Sequence, residues 1–509
     1  MNAALLIDLY KAFHSYAINP EVESLLGNFT NRFNQHSNIP DNTHVVHFGL
    51  QRVIKKIYLE QWNKTFFSIP KVEAVGEYKR VVDAALNQDV CVKHMEALHD
   101  IGYLPIEVRA LPEGSLVPYG VPVFVVESTV KQFGWVSLAL ETVTSSEYWG
   151  VATSATTAYA YRKRFENSLM PKDLIKFAGH DFSYRGMFGT EAAAMSGLGH
   201  LTSFVGSDTV PAALEAERFY GARIDKELVI AGVNATEHSV MCSYQQTGEL
   251  ESLKHLMNNV APKGILSIVS DTWDFWKLVT EYLPELKDNI LERDGQIVIR
   301  PDSGDPVKII CGRAEDVMRI ETDGTYIGFD EQVIPEYEVK GLVECLWDTF
   351  GGTGVVSGYG SEPKVFRLLD SHIGAIYGDS ITLARQDEII TKLEAKGFIP
   401  TVVLGIGSFT YQYVTRDTHG SAMKATSVGV KGEDIAIQKA PKTDSSKKSG
   451  KGLPKVIWVK DKGLQVVWGV TRASYLSGEN LLKPIFRDGK LLVEYTLEDV
   501  RSMIDMTFE

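Results

Sequence analysis

A chain of 509 residues is too long for one compact core and must divide into two or three packed units. Its formal net charge of −13 excludes a general nucleic-acid binder, because phosphate backbones need clustered positive charge. The 44% hydrophobic content is ordinary for a soluble globular protein, and no window approaches the roughly 18 apolar residues of a membrane span.

The chain opens on MNAALLIDLYKAF, a short apolar stretch broken by Asp8 and lacking a basic leader. It does not read as a secretory signal, so a cytoplasmic protein is expected. The four cysteines, Cys91, Cys242, Cys311 and Cys345, form no CxxC pair and read as reduced thiols. Residues 1–147 mix helical text with the β-rich PVFVVESTV, which follows the turn signals of LPEGSLVPYG. From 148 to 424, short apolar runs alternate with helical patterns, as in βα units of a parallel sheet or barrel. Strands are expected at 174–179, 202–207, 228–233, 266–270, 296–300, 373–378 and 401–407, with helices after Asp208 and Asp271. Residues 303–370 interrupt this rhythm and predict a helix plus an elaborated loop, around a strand-like TYIGF and the glycine-rich FGGTGVVSGYGSE. Residues 425–509 carry VIWV, LQVVW and KLLVEY, which predict an antiparallel meander. Within them, the lysine-rich stretch 439–455 predicts a loop that could close over an anionic substrate.

The text after each expected strand is unusually polar: HDFSYRG, SDTV, ATEHS, SDTW, RPDSGD, GDS and GS. In a parallel barrel these strand ends converge on the face that binds substrate, although an Asp or Ser there can also simply cap the next helix. In RPDSGDP a strand delivers Arg300, and Pro301 then bends the chain and exposes Asp302. Such a carboxylate can accept from sugar hydroxyls or help hold Mg²⁺ near a phosphate; the plain alternative is an Asp-Ser-Gly turn. YGDS and GIGS put Gly378, Asp379, Gly407 and Ser408 where backbone N–H groups can approach phosphate oxygens. In HDFSYRG, Phe182 can stack on a flat ring and Arg185 can bind a carbonyl or phosphate, or the pair is a core Phe and a surface Arg. His238, beside Glu237, is either a catalytic or a structural histidine.

Taken in order, DLYK, HDFSYRG, GSDT, EHS, SDTWD, IRPDSGDP, GDS and TRD resemble the nicotinamide phosphoribosyltransferases in their bacterial or phage-like form, over nearly the whole chain. The family usually reads DSYK where this chain has DLYK, but Asp8 and Tyr10 are retained. The resemblance implies a type II phosphoribosyltransferase fold, an irregular parallel α/β barrel with a second α+β domain assembled from both chain ends, working as a head-to-tail homodimer. It implies that Phe182 and Tyr10 of a partner subunit sandwich the pyridine ring, with Asp8 and Ser267 in the same substrate site. Asp208 would accept from the carboxamide and Arg185 would lie near the amide oxygen. Arg300 and Asp302 would hold the ribose, while Gly378, Asp379, Gly407 and Ser408 would cradle the 5′-phosphate. His238 would be phosphorylated by ATP, and Arg32, Arg416, Lys424 and Lys439 would reach across the subunit boundary to surround pyrophosphate and ATP phosphates. Mg²⁺ would be held mainly through substrate phosphates.

This set suits the chemistry. Displacing pyrophosphate from an anomeric carbon passes through an oxocarbenium-like state, and a pyridine nitrogen already has its lone pair, so no general base is needed. The protein must hold the partners in line and neutralise the departing charge. A carboxylate at Asp208 would accept from nicotinamide and repel nicotinate. The competing expectations are a nicotinate phosphoribosyltransferase and a non-catalytic sensor of nicotinamide or its nucleotide.

Overall fold

The computed structural model describes residues 1–357, 364–378, 380–440 and 449–508. The chain forms two compact units, Met1–Thr156 with Ala213–Glu227 and Val414–Glu509, and Thr157–Ala212 with Leu228–Tyr413. The divisions thus fall after Thr156 and Tyr413, where the sequence suggested 147 and 424, and 213–227 joins the unit made from the chain ends.

That first unit is α+β. Its seven-stranded sheet interleaves the two ends of the chain: Val22–Thr30 lies between Ala422–Val430 on one side and Pro122–Ser128 on the other, both antiparallel. Ile106–Ala110 and Lys483–Arg487 extend it. The run PVFVVES is almost entirely buried, and Phe124 stacks on Phe29 at 5.0 Å with Tyr148 edge-on to both. Burying three such rings is worth several kcal/mol, of the order of 2 each, and fixes the register of the central strands. The expected C-terminal meander is two separate pieces. Leu453–Val459 pairs with Gly463–Val470 as a hairpin, whereas the KLLVEY text supplies only Lys490–Leu491, which folds back on Lys483–Arg487 in the large sheet.

The second unit is the barrel. Its six-stranded parallel sheet runs Gly179–Asp181, Val403–Ile406, Ile373–Tyr377, Ile297–Arg300, Leu266–Val269, Asn234–Ala235 in spatial order. The central strands are short β-branched runs buried on both faces, as a sheet covered by helices requires. The ring closes through single bridges: Asp181 pairs with Ser207, and Gly206 pairs with Ala231, three residues before the strand Asn234–Ala235. Three expected strands are therefore corrected. Residues 174–179 are mostly a helical turn, Ile175–Ala178, while 202–207 and 228–233 contribute bridges rather than full strands. Close approach at this seam explains the shortening. A Cβ on Gly206 would lie 3.0 Å from the Gly179 carbonyl, and one on Gly179 would lie 2.8 Å from the Phe204 ring.

The helix expected after Asp208 is Val210–Tyr220, and the text after Asp271 forms a succession of short helical turns from Phe275 to Glu285. Residues 303–370 are more ordered than a helix and a loop. They hold helices Pro306–Cys311 and Leu342–Phe350, a three-stranded sheet around Tyr326–Gly328, and the paired strands Gly352–Ser357 and Lys364–Leu369.

Candidate active site

Because the barrel strands are parallel, their carboxyl ends share one rim, and the residues singled out in the sequence leave the strands there.

One side of the rim is built from Gly179–Asp181 and the seam beside it. Asp181 is fully buried, and its Oδ1 accepts from the Ser183 amide at 2.9 Å, turning the chain directly after the strand. This leaves Phe182 half-buried and Arg185 exposed on the turn Tyr184–Gly186. The Phe182 amide donates to the Ile406 carbonyl at 3.1 Å. Gly405 makes room for the ring, since a Cβ there would meet Phe182 at 2.7 Å. Across the seam, the Asp208 amide donates to the Asp181 carbonyl at 3.0 Å. The Asp208 carboxylate Oδ1 lies 2.9 Å from Nε2 of His180, whose ring is 4.4 Å from that of Phe182. His180 thus joins the stacking ring to the carboxylate.

The opposite side is built from the ends of Asn234–Ala235, Leu266–Val269 and Ile297–Arg300. Arg300 donates from Nη2 to the Thr236 carbonyl at 2.7 Å, its Nε is buried without a hydrogen-bond partner, and its guanidinium lies 6.0 Å from the Phe182 centroid. The Asp302 amide and the Ser303 hydroxyl both donate to Oδ2 of Asp271, at 3.0 and 2.5 Å. His238 reaches Thr272 Oγ1 from Nδ1 at 3.2 Å, and its Nε2 is 3.9 Å from carboxylate oxygens of both Asp271 and Asp302. Ser267 is buried with its hydroxyl unpartnered. Gly378 leaves room for the Asp302 carboxylate: a Cβ would stand 2.4 Å from its Oδ1 and would displace it. Gly407 precedes the turn Ser408–Gln412 with open space where its side chain would be, and Ser408 packs directly on Gly186. Asp379, and residues 441–448 of the lysine-rich stretch, lie outside the described residues.

Two members of the rim were not singled out from sequence. Asp271 sits in SDTWD and looked like a helix start, yet it holds the Asp302 backbone and faces His238. His180 opens HDFSYRG, and nothing in its spacing indicated Asp208 as its partner.

The remaining candidates belong to the other unit and are described within it. Tyr10 is exposed, its hydroxyl donates to Asp8 Oδ2 at 3.4 Å, and that carboxylate also accepts from Thr142 at 2.6 Å. Lys11 is buried against Glu141 at 2.5 Å. Lys424 stands opposite Asn28 in the sheet. Burial, and then the positive charges of Arg32, Lys439 and Arg416, push its ammonium below the ordinary lysine value against the pull of Glu141. Three of the four expected phosphate-binding cations are thus near enough to the fourth, Lys424, to act on its charge. Arg32 is anchored by donating from Nε to the Gly420 carbonyl at 2.7 Å. Among the described residues no group of three or more His, Cys, Asp or Glu side chains is arranged to hold a metal ion. None of their helices is long and apolar enough to cross a membrane.

The sequence pattern of the nicotinate phosphoribosyltransferase (NAPRTase) family matches residues 177–488. A protein of Acinetobacter baylyi named nicotinamide phosphoribosyltransferase is 41% identical, covering 99% of this chain and 97% of its own. One of the same name from Xanthomonas campestris pv. campestris is 29% identical over 79% of this chain and 80% of its own. The fold is similar to that of a nicotinate-nucleotide pyrophosphorylase from Pyrococcus furiosus, with a TM-score of 0.57 and 14% identity over 99% of this chain and 95% of that one. The chain belongs to the nicotinate phosphoribosyltransferase family, and within it is similar over its full length to a nicotinamide phosphoribosyltransferase.

Proposed function

We propose that the protein transfers the phosphoribosyl group of 5-phosphoribosyl 1-pyrophosphate to the ring nitrogen of nicotinamide, giving nicotinamide mononucleotide and pyrophosphate in NAD salvage. The observation that carries this reading is the pairing on one rim of a stacking ring, Phe182, with a carboxylate joined to it through His180, Asp208. Asp208 accepts from the carboxamide of the base and repels the carboxylate of nicotinate. That feature favours nicotinamide over the nicotinate reaction for which the family is named.

The rest of the rim supplies what the displacement needs. Asp302 and Arg300 hold the ribose hydroxyls, with the Asp302 backbone held by Asp271 and space for its carboxylate left by Gly378. The amides at Gly378, Gly407 and Ser408 take the 5′-phosphate, as does Asp379. Ser267 offers a hydroxyl to the substrate, and Arg185 lies near the amide oxygen and the pyrophosphate. Pyridine nitrogen attacks the anomeric carbon as the bond to pyrophosphate breaks, and positioning plus charge neutralisation does the catalysis. Tyr10, with Asp8, completes the base sandwich from a partner subunit in a homodimer, and Arg32, Arg416, Lys424 and Lys439, also from across the subunit boundary, neutralise pyrophosphate and ATP phosphates. Mg²⁺ would be held mainly through the substrate phosphates, where it would neutralise the departing charge. His238 accepts a phosphoryl group from ATP, coupling its hydrolysis to synthesis in the cytoplasm.

The test is a product assay with nicotinamide and nicotinate side by side, with and without ATP. Nicotinamide mononucleotide as the preferred product, raised by ATP, supports the reading. Preferred turnover of nicotinate overturns the substrate, and no pyrophosphate release with either base leaves a sensor.

A further inference from the structure

We propose that His180 is a specificity-determining positioning residue, which fixes the Asp208 carboxylate as an acceptor for the carboxamide and backs the stacking ring of Phe182. This rests on the reading of Asp208 given above.

The side chain of His180 is 11% exposed, while that of Asp208 is 57% exposed. A carboxylate so open would sample several rotamers, and discrimination between an amide and a carboxylate depends on its staying put. The 2.9 Å contact between Nε2 and Oδ1 supplies that restraint. Since an ionised carboxylate only accepts, Nε2 carries the proton and donates. The other edge of the imidazole is closed in, because a Cβ on Gly206 would be 3.0 Å from Nδ1. The ring face meets Phe182 at 4.4 Å and 35°, so turning the imidazole would also disturb the stack. One oxygen of Asp208 is thereby committed to His180, and Oδ2 remains for the base. Rigidity also serves rejection. An Asp208 released from His180 can swing away from the carboxylate of nicotinate, whereas a held one cannot.

The test separates the donor from the ring. His180→Phe keeps an aromatic against Phe182 and removes the donor; His180→Gln keeps a donor at comparable reach; His180→Asn keeps an amide too short to reach. The ratio of kcat/KM for nicotinamide over nicotinate should fall about tenfold in His180→Phe and His180→Asn. The fall should come chiefly through a higher KM for nicotinamide, with the KM for phosphoribosyl pyrophosphate unmoved, and His180→Gln should recover most of the ratio. Adding His180→Phe to Asp208→Asn should change the ratio no further. Should Asp208→Asn itself leave the ratio unaltered, the reading of Asp208 fails and this inference with it. A lowered ratio in Asp208→Asn beside a wild-type ratio in His180→Phe, or in His180→Asn if His180→Phe does not fold, removes His180 alone. So does equal loss for both bases in all three His180 variants.

Discussion

The two sides of the barrel rim differ in how fully their charged groups are tied down. Around Phe182 both carboxylates are committed, Asp181 to the Ser183 amide and Asp208 to His180, and the backbone of Asp208 is tied to that of Asp181, while the open atoms are two hydroxyls, those of Ser183 and Thr209. Around His238 the commitments are partial: its Nδ1 meets Thr272, and Asp271 Oδ2 holds the Asp302 amide and the Ser303 hydroxyl. The His238 Nε2 stands 3.9 Å from two carboxylates, too long for hydrogen bonds, and both Arg300 Nε and the Ser267 hydroxyl are buried without partners. A buried polar atom left unpaired costs on the order of 1–3 kcal/mol, which a protein retains where a ligand will supply the missing partner. The committed side suits discrimination of a rigid base. The less committed side suits a ribose and phosphates that change charge and shape during reaction.

The largest expected effect lies on the less committed side. Asp302→Ala removes the carboxylate assigned to the ribose and should lower kcat/KM by roughly a thousand-fold, with the thermal midpoint little changed, in steady-state assays beside a melting curve. Near wild-type turnover would mean that the ribose is held elsewhere. Breaking the committed side should do something different in kind. Asp208→Asn should lower the nicotinamide-to-nicotinate ratio by about ten- to a hundred-fold while preserving turnover of the base that still binds, read by parallel product assays. Unchanged preference would take Asp208 out of base selection. Smaller again is His238→Ala, which should retain slow synthesis without ATP and lose stimulation by ATP, together with the acid-labile phosphoenzyme. Full stimulation in that variant would remove His238 from the coupling.

What could be read in the sequence divides along the same line. The strands Leu266–Val269, Ile297–Arg300, Ile373–Tyr377 and Val403–Ile406 were legible as short apolar, β-branched runs bounded by polar or glycine-rich turns, though the similar run at 174–179 became a helical turn. The closing seam was read as longer strands than it has, because there they shrink to the single bridges Asp181 to Ser207 and Gly206 to Ala231, and a close backbone approach leaves no periodic signal. Arg300, Asp302 and His238 stood out as charged or titratable side chains directly after strands. Asp271 did not, since an Asp before a helical pattern is most often a cap, and Asp274 in the same motif is one. The cations Arg32, Arg416, Lys424 and Lys439 come from distant parts of the chain, so only the family resemblance could group them.

Glu249 gives the finest probe of the contrast. It is buried with Oε1 unpartnered, and burial, then the negative charge of Asp274, push its carboxyl up to about 7 against the pull of Lys277. Asp274 caps the turn Phe275–Lys277 directly after Asp271 and Thr272, the residues that face His238. A carboxyl raised in the folded state keeps its proton there while the unfolded chain, near the ordinary 4.5, has lost it. Its contribution to stability is therefore fully present below that value, falls as pH rises, and is gone above about 7. Glu249→Gln carries no such ionisation, so its thermal midpoint should gain on the wild type between pH 5 and pH 8, by about 2–3 °C. A gap that stays constant over that range would mean that Glu249 is already ionised in the fold, and that the less committed character of this side stops at the rim itself.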